Sequence, residues 1–266
     1  MLTLYGQTFS SRLLLGTAAY PSLDILRQAV GVAEPAMITV ALRRQNTPDG
    51  NGGGALWALL QEAGIPLLPN TAGCLSVQEA VATAHMAREL FETDWVKLEL
   101  IGNDDTLQPD VFQLVEAADI LIKEGFKVLP YCTEDLIACQ RLLDAGCQAL
   151  MPWAAPIGTG LGAINGYALR MLRERLPDTP LIVDAGLGLP SHAAQVMEWG
   201  FDGVLLNSAV SRSGNPVQMA QAFAQGVQAG RNAYEAVPMP PSEHTRASTP
   251  TVGQPFWHSD EYGYTS

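Results

Sequence analysis

The hydrophobic positions of this chain fall into eight short apolar runs separated by longer amphipathic stretches. The runs are Leu13–Thr17, Met37–Leu42, Pro66–Thr71, Trp95–Ile101, Lys127–Cys132, Ala149–Ala154, Leu181–Ala185 and Gly203–Ser208. Runs such as Leu181-Ile182-Val183 are apolar without alternation, the pattern of parallel strands covered on both faces. The stretches between them predict helices over roughly Ser22–Val32, Ala55–Ala63, Ser76–Phe91, Val111–Glu124, Glu134–Ala145, Gly166–Leu176, Ser191–Trp199 and Pro216–Glu235. Leu136, Cys139, Leu142 and Leu143 show the helical spacing most clearly. Ser76-Val77-Gln78-Glu79 fits a capping box. Four of the helices run into a glycine, at Gly64, Gly125, Gly146 and Gly200, where the left-handed backbone stops a helix.

Eight strand–helix units over about 220 residues fit a closed (β/α)8 TIM barrel, whose usual size is about 250 residues. A doubly wound open sheet is the alternative, weakened because no Gly-x-Gly-x-x-Gly follows the first strand. Residues 2–10 alternate around Gly6 and predict a short N-terminal hairpin capping the barrel bottom. From Pro238 the composition turns to Pro, Ser, Thr, His and aromatics. The expected division is therefore a barrel over 1–236 and an irregular tail over 237–266. Phe256, Trp257, Tyr262 and Tyr264 read as part of an uncompacted end.

Composition narrows the function classes. The chain has 266 residues, 47% of them hydrophobic, enough for a sizeable core. A net charge of −12 argues against nucleic-acid and anionic-membrane surfaces. No apolar run approaches a membrane span, and Met1–Ser11 lacks the features of a signal peptide, so a cytoplasmic location is expected. Cys74, Cys132, Cys139 and Cys147 contain no Cys-x-x-Cys pair and read as packing, with Cys132 at a strand end. The four histidines (85, 192, 244, 258) show no ligand spacing, so no metal is expected.

Lys97 is the feature that points to chemistry. The chain has three lysines. Lys123 and Lys127 flank a turn, but Lys97 lies inside a strand pattern. An amine there needs a partner or a task, and burial lowers a lysine pKa, as imine formation requires. A lysine snorkelling from an edge strand would fit the same position. Glu99, two residues on, shares its face. It either pairs with Lys97 structurally or moves protons for it.

Active sites of this fold lie at the carboxyl ends of the strands. The sixth strand there runs into Pro156-Ile157-Gly158-Thr159-Gly160-Leu161-Gly162, the seventh into Asp184-Ala185-Gly186-Leu187-Gly188, and the eighth into Asn207-Ser208-Ala209. Three such loops side by side favour a phosphate held by backbone amides. Asp184 is either an acid/base facing the site or a cap on the next helix. Arg43 and Arg44 precede a Gly-rich stretch, 47–54, that reads equally as a lid or a surface loop.

The chain resembles the bacterial thiazole synthase family. The resemblance rests on Ser11–Thr17, Thr39–Arg44, Leu68–Gly73, Trp95–Glu99, Val128–Cys132, Ala155–Gly160, Val183–Gly186 and Leu205–Ala209, in family order over residues 2 to about 235. It implies that Lys97 forms a Schiff base with 1-deoxy-D-xylulose 5-phosphate. It implies that Gly158, Ala185, Gly186, Asn207 and Ser208 bind this substrate, mainly at its phosphate, and that Glu99 and Asp184 transfer protons. It further implies two more inputs, sulfur from a thiocarboxylated ubiquitin-like carrier protein and dehydroglycine from a separate enzyme. A homotetramer and the absence of any cofactor are implied as well. The chain departs from the family at Gly16-Thr17-Ala18-Ala19-Tyr20, where Gly-Thr-Gly-Lys/Arg-Phe is common, and at Ser208, where Thr is common. Two other readings of the residues stand beside it. One is a class I Schiff-base aldolase, and the other is a non-catalytic barrel in which Lys97 is replaceable.

Overall fold

The computed structural model describes residues 1–42 and 52–245. Arg43, Arg44 and most of the expected lid, like the tail aromatics, lie outside the described residues. Met1–Ala236 forms one compact unit.

The chain opens with a hairpin, β1 (Leu2–Leu4) and β2 (Gln7–Phe9). Eight parallel strands follow, interleaved with helices. In chain order they are β3 (Leu13–Gly16), β4 (Met37–Ala41), β5 (Leu67–Asn70), β6 (Trp95–Leu98), β9 (Lys127–Cys132), β10 (Met151–Pro152), β11 (Ile182–Asp184) and β12 (Gly203–Leu206). They pair in the order β10-β9-β6-β5-β4-β3-β12-β11. The ends of this sheet meet through parallel bridges Leu150↔Leu181 and Trp153↔Asp184, which bring it round into a TIM-barrel-like cylinder.

The period-two rule for strands explains where the core ends and the site begins. Leu14, Met37, Leu68, Trp95, Leu129, Met151, Ile182 and Leu205, one from each strand, join in a single buried cluster inside the barrel. Leu2, Leu4 and Phe9 of the hairpin belong to the same cluster and seal it from below. The Tyr5 hydroxyl adds a fixed contact by donating to the Val128 carbonyl at 2.7 Å. Two residues further along each strand stand Gly16, Thr39, Asn70, Lys97, Tyr131, Trp153, Asp184 and Asn207. They form the next layer up, where Thr39, Asn70, Lys97, Asp184 and Asn207 bring in polar groups beside the apolar Tyr131 and Trp153.

A larger cluster fills the space between strands and helices. The helices are α1 (Leu23–Ala33), α2 (Gly52–Ala63), α3 (Val77–Phe91), α4 (Val111–Lys123), α5 (Leu136–Asp144), α6 (Gly166–Arg175), α7 (Pro190–Glu198), α8 (Ser208–Ser211) and α9 (Pro216–Glu235). Most start on a polar side chain that accepts from the first turn. Ser22, Ser76, Asp110, Asp135, Asn165 and Asn215 all do so.

Four expectations need correction. The run Trp95–Ile101 is not one strand: β6 stops at Leu98, and a second hairpin, β7 (Ile101–Asn103) with β8 (Gln108–Pro109), precedes α4. The sixth strand is shorter than expected, because Leu150 and Trp153 engage only as single bridges at the barrel seam. The glycines 52–54 form the first turn of α2 rather than a loop. A short helix, α8, intervenes between the last strand and α9.

Candidate active site

Strand β6 delivers Lys97 into the barrel interior, paired in register with Asn70 on one side and Leu129 on the other. Its side chain is 8% exposed. The ammonium Nζ lies 3.1 Å from Glu99 Oε1 and 2.5 Å from Asp184 Oδ2. Asp184 ends β11, two strands beyond the neighbouring β9, so the lysine spans part of the barrel mouth to reach it. Asp184 therefore faces the site. It does not cap α7, which begins after Leu189 with no side-chain cap.

The chain has left regular strand geometry at Glu99, yet the residue still faces Lys97. Thr71 explains this. Its Oγ1 accepts from the Glu99 N–H at 2.8 Å and donates to the Glu99 carbonyl at 2.7 Å. The Thr71 N–H donates to the Lys97 carbonyl at 3.2 Å. A fully buried threonine thus replaces the strand pairing lost after Leu98. Sequence reasoning gave Thr71 no role. Its only trace was a hydroxyl closing an apolar strand.

The charges perturb one another. Burial pushes the Lys97 ammonium toward neutrality, but Asp184 and Glu99 outweigh it, and its pKa stands above the usual lysine value. Burial alone, the effect considered from the sequence, acts in the opposite direction. For Asp184 burial is the largest effect, opposed by Lys97 and reinforced by Glu99, and its pKa stands above the usual carboxylate range. The resting site therefore holds an ammonium between two carboxylates. The Tyr131 ring lies 5.7 Å from Nζ and, with Trp153 and Ile101, forms an apolar wall.

Lys97, Glu99 and Asp184 line a cavity of about 870 Å³. Gly158, Gly160, Ala185, Gly186, Gly188, Asn207 and Ser208 line the same cavity. The structure therefore brings together all eight residues singled out from the sequence. Gly186 shows why the backbone comes so close: its φ is +79°, and an added Cβ would fall 2.3 Å from the Ala155 nitrogen. Ala185 shares the left-handed conformation at φ 68°, unusual for a residue with a side chain. Helix α8 opens directly at Ser208, so the first amides of α8 precede any intrahelical acceptor. The Asn207 Oδ1 has no hydrogen-bond partner among the described residues. Thr17, Thr39, Asn70, Asp104, Arg212 and Ser213 complete the polar lining and were given no site role from the sequence.

The cysteines stand apart. Cys132 lies 3.9 Å from Cys139, buried away from the cavity. No group of three or more His, Cys, Asp or Glu side chains able to hold a metal occurs among the described residues. No helix among the described residues is long and apolar enough to cross a membrane.

Comparison with known proteins gives these features a context. A family model described as "Thiazole biosynthesis protein ThiG" matches residues 3–250. A thiazole synthase of Neisseria meningitidis serogroup C is 76% identical over 262 residues, covering 98% of this chain and 100% of its own. A thiazole synthase of Cupriavidus pinatubonensis is 69% identical over 258 residues, covering 97% of this chain and 93% of its own. The crystal structure of the Amycolatopsis orientalis BexX/CysO complex contains a chain that superimposes with a TM-score of 0.81 at 30% identity, covering 91% of this chain and 98% of that one. The lysine between two carboxylates, the glycine loops facing it and the match along almost the whole length lead to one conclusion: this chain belongs to the thiazole biosynthesis protein ThiG family.

Proposed function

We propose that the chain is a thiazole synthase of thiamine biosynthesis that works through a Schiff base on Lys97. The observation that carries this reading is the Lys97 ammonium, 2.5 Å from Asp184 and 3.1 Å from Glu99, on a cavity also lined by glycine loops suited to a phosphate.

The substrate is 1-deoxy-D-xylulose 5-phosphate. Its phosphate accepts from the amides of the Gly158, Ala185–Gly186 and Asn207–Ser208 segments, where an anion meets oriented N–H dipoles. That places the ketone toward Lys97. The ammonium gives its proton to Asp184, which lies within direct transfer distance at 2.5 Å. The freed amine adds to the ketone carbon. The protonated carboxyl then returns a proton to the departing hydroxyl, and water leaves as the imine forms. The imine acidifies the adjacent C–H bonds, and Glu99 and Asp184 exchange protons during tautomerisation. The terminal thiocarboxylate of a small sulfur-carrier protein supplies the sulfur, the carrier departs, and dehydroglycine closes the ring as thiazole phosphate carboxylate. The reaction transfers sulfur and is classed accordingly as a transferase. The relative crystallised in complex with a second protein, CysO, supports a partner-dependent reaction.

The test is chemical trapping. The protein is incubated with deoxyxylulose phosphate, reduced with borohydride and mapped by mass spectrometry. An adduct on the peptide carrying Lys97, absent from Lys97→Ala, is expected. Wild-type protein that gives no adduct overturns the reading. Turnover that needs no thiocarboxylated carrier would point instead to an aldolase.

A further inference from the structure

We infer that His192, which does not line the cavity, is a positioning residue that holds the loops after β10 and β11 in the shape that receives an anion. It sits in the first turn of α7, partly buried. Its Nδ1 accepts a hydrogen bond from the Gly188 N–H at 3.2 Å. That acceptor role assigns the ring proton to Nε2 and requires the neutral form. Gly188 precedes the N-cap residue Leu189, so the imidazole reaches back from the first turn of α7 to an amide of the loop itself.

The same ring supports the second loop. A Cβ added to Gly162 would lie 3.0 Å from the His192 Cγ and Nδ1, so the chain at Gly162 passes directly against the imidazole. Between the loops, the Gly162 N–H donates to the Gly186 carbonyl at 2.8 Å. Gly188 and Gly160 approach so closely that no side chain fits between them. His192 is therefore the side chain that touches both loops from behind, while Gly158, Gly160, Gly186 and Gly188 face the cavity. Loss of the acceptor frees Gly188 to turn away, and the amides facing the anion lose their common direction. The role in substrate binding rests on the phosphate reading above.

The test compares His192→Ala with His192→Asn, whose Oδ1 stands where Nδ1 does. The KM for deoxyxylulose phosphate is expected to rise about fivefold in His192→Ala, the factor corresponding to one net hydrogen bond, with kcat nearly unchanged. His192→Asn is expected to return KM close to the wild-type value. A KM unmoved by His192→Ala overturns the inference, and so does an Asn variant as impaired as the Ala variant. Two readouts need no turnover. Nitrogen NMR of the wild type is expected to show the neutral Nε2–H form, and a proton on Nδ1 refutes the assignment. Hydrogen exchange at residues 186–189 is expected to accelerate in His192→Ala and recover in His192→Asn. If both signatures are seen but the wild type does not bind deoxyxylulose phosphate, the proposed substrate is refuted and the loop role stands.

Discussion

At the scale of single residues, the site is three charges sharing one buried space. Glu99 raises both the Lys97 pKa and the Asp184 pKa. Glu99→Gln is therefore expected to lower both. Labelling of Lys97 by an acylating reagent, followed across pH by mass spectrometry, is expected to begin at a lower pH in this variant than in the wild type; a shift the other way contradicts the electrostatic account. The sign for stability follows from the same direction. The folded lysine pKa above the unfolded value, about 10.4, supports the fold throughout neutral pH. That support is lost only as the pH rises through the raised value. For Asp184 the raised pKa works the other way, because a carboxyl raised on folding costs stability once it is ionised. Thr71 acts on the neighbouring peptide group. Thr71→Val keeps the shape but removes both hydrogen bonds to Glu99, leaving a buried N–H and carbonyl unpaired. About 1–3 kcal/mol of stability per orphaned group is expected to be lost, read from urea unfolding, together with a fall in kcat as Glu99 drifts from Lys97.

At the scale of elements, strands place groups and helices hold the strands. The site layer is the core layer advanced by two residues along each strand, so a change that slips one strand moves a core residue and a site residue together. Helix α9 packs against α1 and α7. Its Gly230 lies so near α7 that an added Cβ would fall 2.3 Å from the Ala194 carbonyl oxygen. Two effects compete in Gly230→Ala. Helix propensity favours alanine by about 1 kcal/mol. Overpacking opposes it by about 1–3 kcal/mol or more, and the contact is with backbone, which yields least. Net destabilisation is expected, seen as a lower midpoint of thermal unfolding; a more stable variant would show that the two helices are free to separate.

At the scale of the whole molecule, charge and topology act together. The chain carries a net charge of −12. The described carboxylates lining the cavity, Glu99, Asp104 and Asp184, outnumber the described cations Lys97 and Arg212. The phosphate ester proposed as substrate would approach against repulsion and be held by backbone dipoles at short range. Sodium chloride screens the long-range part, with a Debye length of about 8 Å at 0.15 M. The KM for deoxyxylulose phosphate is expected to fall as ionic strength rises from low values, and a KM that increases with salt would contradict this.

The strand and helix succession, the barrel and the sealing hairpin were legible from the order of residues, because buried parallel strands and amphipathic helices impose distinct periods on any chain. Lys97 and the three glycine loops stood out locally for a related reason: a cation in an apolar run and clustered glycines violate the surrounding pattern. Only the tertiary structure decided what Lys97 is near. Asp184 is 87 positions away in the chain and 2.5 Å away in space, so the direction of the lysine pKa reversed from the one burial alone suggested. It also decided the parts played by Thr71 and His192, ordinary residues whose partners belong to other segments. Periodicity reports how each segment meets the core, whereas charge coupling and hydrogen bonding between segments exist only once the barrel brings their ends together.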